Sequence, residues 1–342
     1  MSAPLPSTRL IAKLTGFSKA TVANALNGSP TVARETARRI LAVAQEVGYQ
    51  RNPMIGTLMS AMRRSQTVGL RGVLAMVDVA EPERPVHGPF HKELLIGSRT
   101  RAEELGFKME TYVVDHKTLS YARLNSILTA RGIRGIIVQP AWKVPDFTQF
   151  NWSNFVGVYT DYVSHGARLH SVCCDQYRSM LELLETLHDR GYRRPGLILD
   201  TGRDERVHLQ MSAALHAFQQ SHPDVGPTNA CIDSDMKQKG VVEWLRAERP
   251  DVVLSQDTQV LRIMMDRGMR VPETFGYVCL NRAKALRPCA SLDRLPRQIG
   301  ACAVELLIAQ LHQNAWGMPK FPMSTTICGQ FVDGPTIRSR LA

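Results

Sequence analysis

The sequence predicts an α + α/β protein with an N-terminal helix-turn-helix head, a hinge, and a core of two α/β lobes with parallel sheets. Residues 7–58 combine helical apolar spacing, a turn glycine and many basic side chains. From residue 72 onward, short apolar runs alternate with helical patterns. The chain beyond the hinge is long enough for two ordinary domains. We therefore expect a head at 1–50, a hinge at 51–66 and a core at 67–342.

The head is predicted to form three helices around a small core. Ser7 and Ser18 can cap the first two helices, Gly16 suits the tight turn between them, and Gly48 can end the third. Apolar residues at helical spacing mark the inward face of each helix. They are Ile11 and Leu14, then Val22, Ala25 and Leu26, and finally Ile40, Val43, Ala44 and Val47.

The outward face of the second helix is slim and polar. It carries Lys19, Ala20, Ala23, Asn24 and Asn27. A helix that enters the major groove needs short side chains for close approach, and amide or cationic groups to meet base edges and phosphates. This face offers both, so the second helix is predicted to be the recognition helix of a DNA-binding unit.

Charge supports the same interpretation. The chain has a formal net charge of +11, and more than half of that excess lies before residue 66, in under a fifth of the length. Such asymmetry is typical of binding to the phosphate backbone, whose strength comes from counterion release. The alternative is a small helical protein–protein module with a solvated basic face.

An ordered motif spans the turn and the second helix. It reads T-G-F-S-K-A-T-V-A-N-A-L-N-G at 15–28 and is followed by Val32, Thr36, Arg39, Gly48, Tyr49 and Asn52. This motif resembles the head of the LacI/GalR family of bacterial transcription regulators. The family pattern reads A-G-V-S-x-x-T-V-S-R-V-L-N and later L-G-Y-x-P-N. Because so many positions match in order and at the correct spacing, the signal is much more specific than a single short motif.

Family roles transfer only to the positions that match. The resemblance implies that Ser18 and Thr21 contact phosphates and that Asn27 lies at the end of the recognition helix. Lys19 and Ala20 occupy the two variable positions that select operator bases in the family.

Three departures from the family pattern affect the head. Asn24 stands where the family usually has an arginine, so the operator is expected to differ from the usual consensus. Leu10 replaces a usual Asp in the first helix, and Ala33 replaces a usual capping Ser.

The hinge has its own start signal. Asn52 can cap a helix with Pro53 at its first position, whereas Gly56 costs roughly 1 kcal/mol relative to alanine in a helix. By resemblance, this marginal helix forms on DNA, and Leu58 matches a leucine that wedges into the minor groove. A plain linker is the alternative. The predicted DNA-binding residues are Ser7, Ser18, Lys19, Ala20, Thr21, Asn24, Asn27, Asn52 and Leu58.

The core alternates predicted strands and helices. The strands are expected at 72–77, 109–114, 135–138, 155–159, 196–199, 252–254 and 276–280, and the helices near 90–105, 119–131, 177–190, 209–220 and 259–267. This alternation predicts parallel sheets covered by helices on both faces. Two such lobes with a cleft between them resemble the periplasmic-binding-protein-like core of the same family.

The cleft is expected to bind a small effector. Ligands of open α/β sheets bind beyond the carboxyl ends of the strands. Carboxylates and amides there can bind hydroxyls, and an aromatic ring can stack on a sugar face, so we expect a saccharide or related polyol. Ordinary capping or loop roles are the alternative. The candidates are Asp78, Trp142, Tyr159, Asp161, Gln256, Asp257 and Asn281, with Gln210 roughly where many relatives have a ligand-clamping arginine.

Several function classes are disfavoured. The chain lacks a G-x-S-x-G elbow, a P-loop, a G-x-G-x-x-G and an H-E-x-x-H. Its seven cysteines form no C-x-x-C, so neither a metal nor another cofactor is expected. No apolar run approaches the roughly 18 residues of a membrane span. Without a signal peptide, a cytoplasmic location with reduced thiols is expected.

The combined interpretation is a sequence-specific DNA-binding regulator, expected to be a repressor, whose operator affinity a small effector modulates. A homodimer is expected because one small head reads too few base pairs for a genomic address. The main alternative is a cytoplasmic small-molecule-binding protein whose head no longer reads a specific operator. An enzyme that uses the cleft is the least favoured hypothesis.

Overall fold

The structure, a computed structural model, describes residues 8–26, 32–47, 72–81, 88–115, 117–141, 150–162, 168–232, 238–256 and 258–339. The chain divides into two units, Met1–Gly69 and Leu70–Ala342. The predicted hinge at 51–66 lies outside the described residues. Within the described ranges, no helix is both long and apolar enough to cross a membrane.

The first unit contains three helices, α1 (Thr8–Thr15), α2 (Lys19–Leu26) and α3 (Arg34–Glu46). Gly16, in the turn after α1, has a φ of +75°, a conformation that glycine adopts at little cost. The predicted inward residues of α2 and α3 are buried or half-buried, and they pack with Ile11 in one cluster.

The prediction for Leu14 was wrong, because its side chain is 55% exposed. Thr15 is buried in its place, and its hydroxyl donates to the carbonyl oxygen of Ile11 at 2.7 Å. This internal hydrogen bond satisfies the hydroxyl, which lets a polar residue occupy the inward position. Leucine one position earlier is turned out to solvent.

The second unit has strands and helices in alternation. The strands are β1 (Gly72–Val79), β2 (Phe107–Val114), β3 (Gly135–Val138), β4 (Val156–Tyr159), β5 (His170–Asp175), β6 (Pro195–Leu199), β7 (Cys231–Ile232), β8 (Val252–Ser255), β9 (Gly276–Cys279), β10 (Ala290–Asp293), β11 (Ser324–Cys328) and β12 (Gln330–Val332). The helices are α4 (Pro89–Glu104), α5 (Tyr121–Ala130), α6 (Gln176–Asp189), α7 (Thr201–Arg206), α8 (Gln210–Ser221), α9 (Gln238–Glu248), α10 (Gln259–Asp266) and α11 (Pro296–Gln313), with short 3-10 turns at Trp152–Asn154 and Arg282–Lys284.

These elements form two lobes, as predicted. In the described part of the chain, the first lobe has a sheet in the order β11-β5-β4-β3-β1-β2, and the second has the order β12-β10-β9-β8-β6-β7. All strand pairs are parallel except β10 with β12. Only Gly329 separates β11 from β12. The other strands of the second lobe run toward the first lobe. The chain enters β12 directly from the first lobe, with no helix between β11 and β12, so β12 runs in the opposite direction.

Helices α6 and α11 each follow a strand of one lobe and pack against the other lobe. The buried face of α6 joins the core around β6 and β8 of the second lobe. Helix α11 packs against α4 and the first-lobe strands, where Ile299, Ala303 and Leu307 are buried. The apolar face of this late helix therefore forms core of the first lobe. The core of each lobe thus includes a helix that follows a strand of the other lobe.

Candidate functional site

The N-terminus of α2 is fixed by a side-chain cap. The backbone N–H of Thr21 donates to Ser18 Oγ at 3.1 Å, and the hydroxyls of Ser18 and Thr21 lie 2.8 Å apart. This bond satisfies one of the N–H groups that a helix start leaves without a partner. Lys19 and Asn24 are exposed, whereas Val22 and Ala25 are buried. The two described side chains of the predicted recognition side, Lys19 and Asn24, therefore face away from the head's core.

Basic side chains on α3 are also exposed. Arg38 pairs with Glu35 at 2.8 Å, with both side chains in solvent, and such a surface pair contributes little to stability. The guanidinium of Arg39 lies over the Phe17 ring, 5.9 Å from its centroid. With Arg34 also exposed, the head presents several cations that phosphates could contact.

Helix α3 begins without a side-chain cap. Its N-cap residue is Ala33, where no side-chain hydrogen bond to the first turn is made. We expect Ala33→Ser to raise the free energy of unfolding of the head by about 1 kcal/mol, because a hydroxyl there can accept from a first-turn N–H. Thermal and denaturant unfolding of the protein would measure the change.

Ala42→Ser is the matched control, because Ala42 is exposed in the middle of the same helix. Serine is a poorer helix former than alanine, so this variant should be slightly less stable than the parent. An equal response of both variants would contradict the capping explanation.

A cavity of about 110 Å³ lies between the two lobes of the second unit. Its polar and thiol lining from the first lobe consists of His91, Thr160, Asp161, Cys173, Cys174 and Gln176, and that from the second of Arg206, Gln256, Asn281, Lys284 and Arg294. The carboxyl ends of parallel strands supply many of these positions, as open α/β sheets require. Three of the predicted effector residues, Asp161, Gln256 and Asn281, therefore line one cavity.

Polar contacts connect the lobes at one edge of the cavity. Asp161 of the first lobe forms an ion pair with Arg206 of the second, and both side chains are largely buried. The hydroxyl of Tyr162 lies 2.8 Å from Gln210 Oε1 in the second lobe and also accepts from the backbone N–H of Gln176 at 3.1 Å. Gln210 does not line the cavity. Its contact at the edge of the cleft is the hydrogen bond with the hydroxyl of Tyr162.

Arg294 is held on the second-lobe wall by two neutral acceptors. Its Nη2 donates to Gln256 Oε1 at 2.7 Å, and its Nε donates to the carbonyl oxygen of Leu280 at 2.9 Å. The side chain is nine-tenths buried. These bonds orient both Arg294 and Gln256 at the carboxyl ends of β10 and β8, the strands on either side of β9.

Two other predicted effector residues are not among the residues that line the cavity. Asp78 is buried at the end of β1, and Tyr159 packs in the first-lobe core with its hydroxyl 3.4 Å from the backbone N of Ala141. The remaining predicted residues lie outside the described residues, or have a side chain that the structure does not describe. They are Trp142 and Asp257 in the core, Ser7, Asn27, Asn52 and Leu58 in the head and hinge, and the side chain of Ala20.

The sequence interpretation missed several lining residues. Arg294 follows β10 and Gln176 follows β5, and neither strand is among the apolar runs from which the core strands were predicted. Arg206 ends the short helix α7, which was not predicted either. Cys173 and Cys174 lie in β5. Burial raises the pKa of Cys173 to about 12 and also raises that of Cys174, so both thiols are neutral near pH 7.

The described residues contain no group of three or more His, Cys, Asp or Glu side chains placed to hold a metal ion. The cavity offers carboxylate, amide, hydroxyl and guanidinium groups instead. Such groups bind hydroxyls and anions by hydrogen bonds. The arrangement is therefore suited to reversible binding of a small polar ligand.

Comparisons with known proteins cover both units. Residues 10–52 match the family described as "Bacterial regulatory proteins, lacI family", and residues 184–329 match the "Periplasmic binding protein-like domain". The "HTH-type transcriptional regulator GntR" of Pseudomonas aeruginosa is 27% identical, over 89% of this chain and 89% of its own length. The "Ribose operon repressor" of Bacillus subtilis is 24% identical, over 94% and 96% respectively.

Solved structures share the fold at lower identity. A "transcriptional regulator CelR-cellobiose complex" is 17% identical with a TM-score of 0.55, covering 97% of this chain and 99% of that one. A lac repressor dimer bound to operator and the anti-inducer ONPF is also 17% identical, with a TM-score of 0.56 and coverage of 98% and 99%. The two curated relatives are named as a transcriptional regulator and an operon repressor, which agrees with the prediction that the chain is not an enzyme. The chain therefore joins a head that matches the lacI family model to a core that matches the periplasmic binding protein-like domain, and it is similar along most of its length to DNA-binding transcription regulators of the LacI family.

Proposed function

We propose that the protein is a transcriptional repressor that binds its operator as a homodimer and changes its DNA affinity when a small saccharide or polyol occupies the cleft. The head at 1–50 reads the operator, the hinge at 51–66 couples head to core, and the core at 67–342 binds effector and partner. The protein acts in the cytoplasm, where its cysteines stay reduced.

The observation that carries this proposal is the cavity, because its polar lining comes from both lobes. A ligand that contacts Asp161 on one side and Asn281 on the other interacts differently with open and closed arrangements of the lobes. A ligand shifts a conformational equilibrium only through such differential interaction. The cleft therefore provides the physical means for an effector to change the core.

The comparisons support the finer points. One relative is called a ribose operon repressor, which favours repression and a sugar effector. One structural neighbour is titled as a complex with cellobiose, and another as a dimer bound to operator. On the DNA side, the capped start of α2 and the exposed Lys19 and Asn24 support the predicted readout.

Binding of the full chain to DNA tests this proposal. We expect selection from fragmented genomic DNA to recover a pseudo-palindromic site that the protein binds as a dimer, with an affinity that falls steeply as salt rises. Fluorescence anisotropy against the selected site and a scrambled duplex measures the specificity. Adding sugars and polyols should then change the affinity for the selected site.

The alternative predicts a different result. A small-molecule-binding protein whose head no longer reads an operator would bind the selected and scrambled duplexes equally at every salt concentration. Equal binding would therefore contradict the repressor proposal, even if a sugar still raised the melting temperature of the core.

A further inference from the structure

The charged lining of the inter-lobe cavity is predominantly cationic. Arg206, Lys284 and Arg294 contribute positive charge, and among the described lining residues only Asp161 contributes a carboxylate. The two thiols add no negative charge near pH 7, because their burial keeps them protonated.

A helix N-terminus adds to this positive potential. Helix α4 starts at Pro89, and its first turn, including Phe90 and His91, lines the cavity together with Gly88. Its N-cap Gly88 has no side chain to accept from the first-turn N–H groups. The partial positive charge at the start of a 16-residue helix therefore faces the cavity and favours an anionic group there.

Gln176 supplies an independent observation. Gln176 is only 5% exposed, and it lines the cavity. Among the described residues, no hydrogen-bond donor reaches its Oε1. A buried acceptor without a donor is costly, and a ligand hydroxyl in the cavity would satisfy it. Asn281, also buried in the lining, offers a further amide for a second hydroxyl.

The size of the cavity limits the ligand. Its volume of about 110 Å³ is well below the roughly 300 to 1,000 Å³ of pockets that hold drug-sized molecules. The arrangement of the lobes seen here therefore suits a compact molecule better than a disaccharide.

We propose that the effector is a small anionic polyol, such as a sugar acid or a sugar phosphate, rather than a neutral sugar. Arg294, Lys284 and the start of α4 bind its anionic group, and Gln176 and Asn281 bind its hydroxyls. This inference rests on the proposed function, since it names the chemical class of the effector that the cleft binds.

The test uses the full chain and matched sets of compounds at constant ionic strength. One set is glucose, gluconate and glucose 6-phosphate, and parallel sets are built on galactose and ribose. Thermal shift identifies the ligands and calorimetry gives their affinities. We expect the tightest ligand to be an acid or a phosphate, bound about 10- to 100-fold more tightly than its neutral parent, as is typical of hydrogen bonds to charged groups. The acid and phosphate arms show which anion the cavity prefers.

Two variants test whether the anionic group binds in the cavity. Arg294→Gln and Lys284→Gln should each weaken the anionic ligand about 10-fold or more and weaken the neutral parent by a clearly smaller factor, because the neutral parent has no charged group for these cations to bind. Lys284 is less buried than Arg294, so Lys284→Gln remains informative if Arg294→Gln disturbs folding. Arg267→Gln is the matched control, since Arg267 is exposed at the end of α10 and does not line the cavity.

The outcomes separate the two proposals. A neutral sugar that binds as tightly as its acid and its phosphate overturns the anionic effector and leaves the saccharide-responsive regulator intact. Anion binding that is equal in the wild type and both variants overturns the assignment of the anion to this cavity. If no compound of any charge changes either the melting temperature or operator affinity, the proposed effector function fails, and this inference fails with it.

Discussion

Lys19→Ala is expected to lower the affinity for the selected operator about 10- to 100-fold, while affinity for scrambled DNA falls only slightly. Lys19 is the first residue of α2 and is exposed at the end of the helix that the Ser18 cap fixes. One good contact to a base edge contributes about 1 to 3 kcal/mol of discrimination. Anisotropy titrations against both duplexes, each at several salt concentrations, measure the effect.

Lys13→Ala controls for charge alone. Lys13 is exposed in the last turn of α1 and lies outside the predicted recognition face. Removing a phosphate contact weakens binding to all sequences about equally and reduces the salt dependence by about one charge. If Lys19→Ala behaves like Lys13→Ala, with equal losses on both duplexes, Lys19 does not read bases.

Asp161→Ala is expected to lower the free energy of unfolding of the core by about 1 to 3 kcal/mol, the cost of leaving a buried polar group without its partner. The mutation removes the carboxylate with which Arg206 pairs, and Arg206 then keeps a largely buried charge without it. Removing one member of a buried pair leaves the desolvation cost of the other uncompensated. Because the pair joins the lobes, its loss also favours separation of the cavity walls.

A double-mutant cycle isolates this interaction. We expect Asp161→Ala and Arg206→Ala to be non-additive by about 0.5 to 3 kcal/mol in denaturant unfolding, the range found for residues in contact. Glu305→Ala is the control, because Glu305 pairs with Arg101 on the surface, where such pairs contribute about 1 kcal/mol or less. Additive effects of the Asp161 and Arg206 mutations would show that the ion pair does not stabilise the closed cleft.

Most of the fold could be predicted because it depends on neighbours in the sequence. The Ser18 cap, the Gly16 turn and the buried face of α2 follow from residues at most four positions apart. The strands β3 and β8 are buried along their length, and β1 is buried after its first two residues, which is why short apolar runs revealed them. The predicted head-and-core organisation also follows from the length and the uneven charge of the chain.

Short and edge strands could not be predicted in the same way. β7 has two residues and β12 has three, which is too few for periodicity to be recognised. β11 is an edge strand whose first three residues are exposed, so it lacks the apolar run typical of a central strand. In the head, local spacing placed Leu14 in the core, but packing of three helices selected Thr15 because its hydroxyl bonds within α1.

The sequence by itself predicted a DNA-binding regulator, because the capped start of α2 and the motif that resembles the family are both written in consecutive residues. It also placed Asp161, Gln256 and Asn281 after strands. Only the tertiary structure decided what accompanies them in the cavity. The chain passes between the lobes more than once, and this brings Gln176, Arg206 and Arg294 together from distant parts of the sequence. The charge of the cavity therefore depends on residues whose proximity cannot be predicted from local sequence patterns.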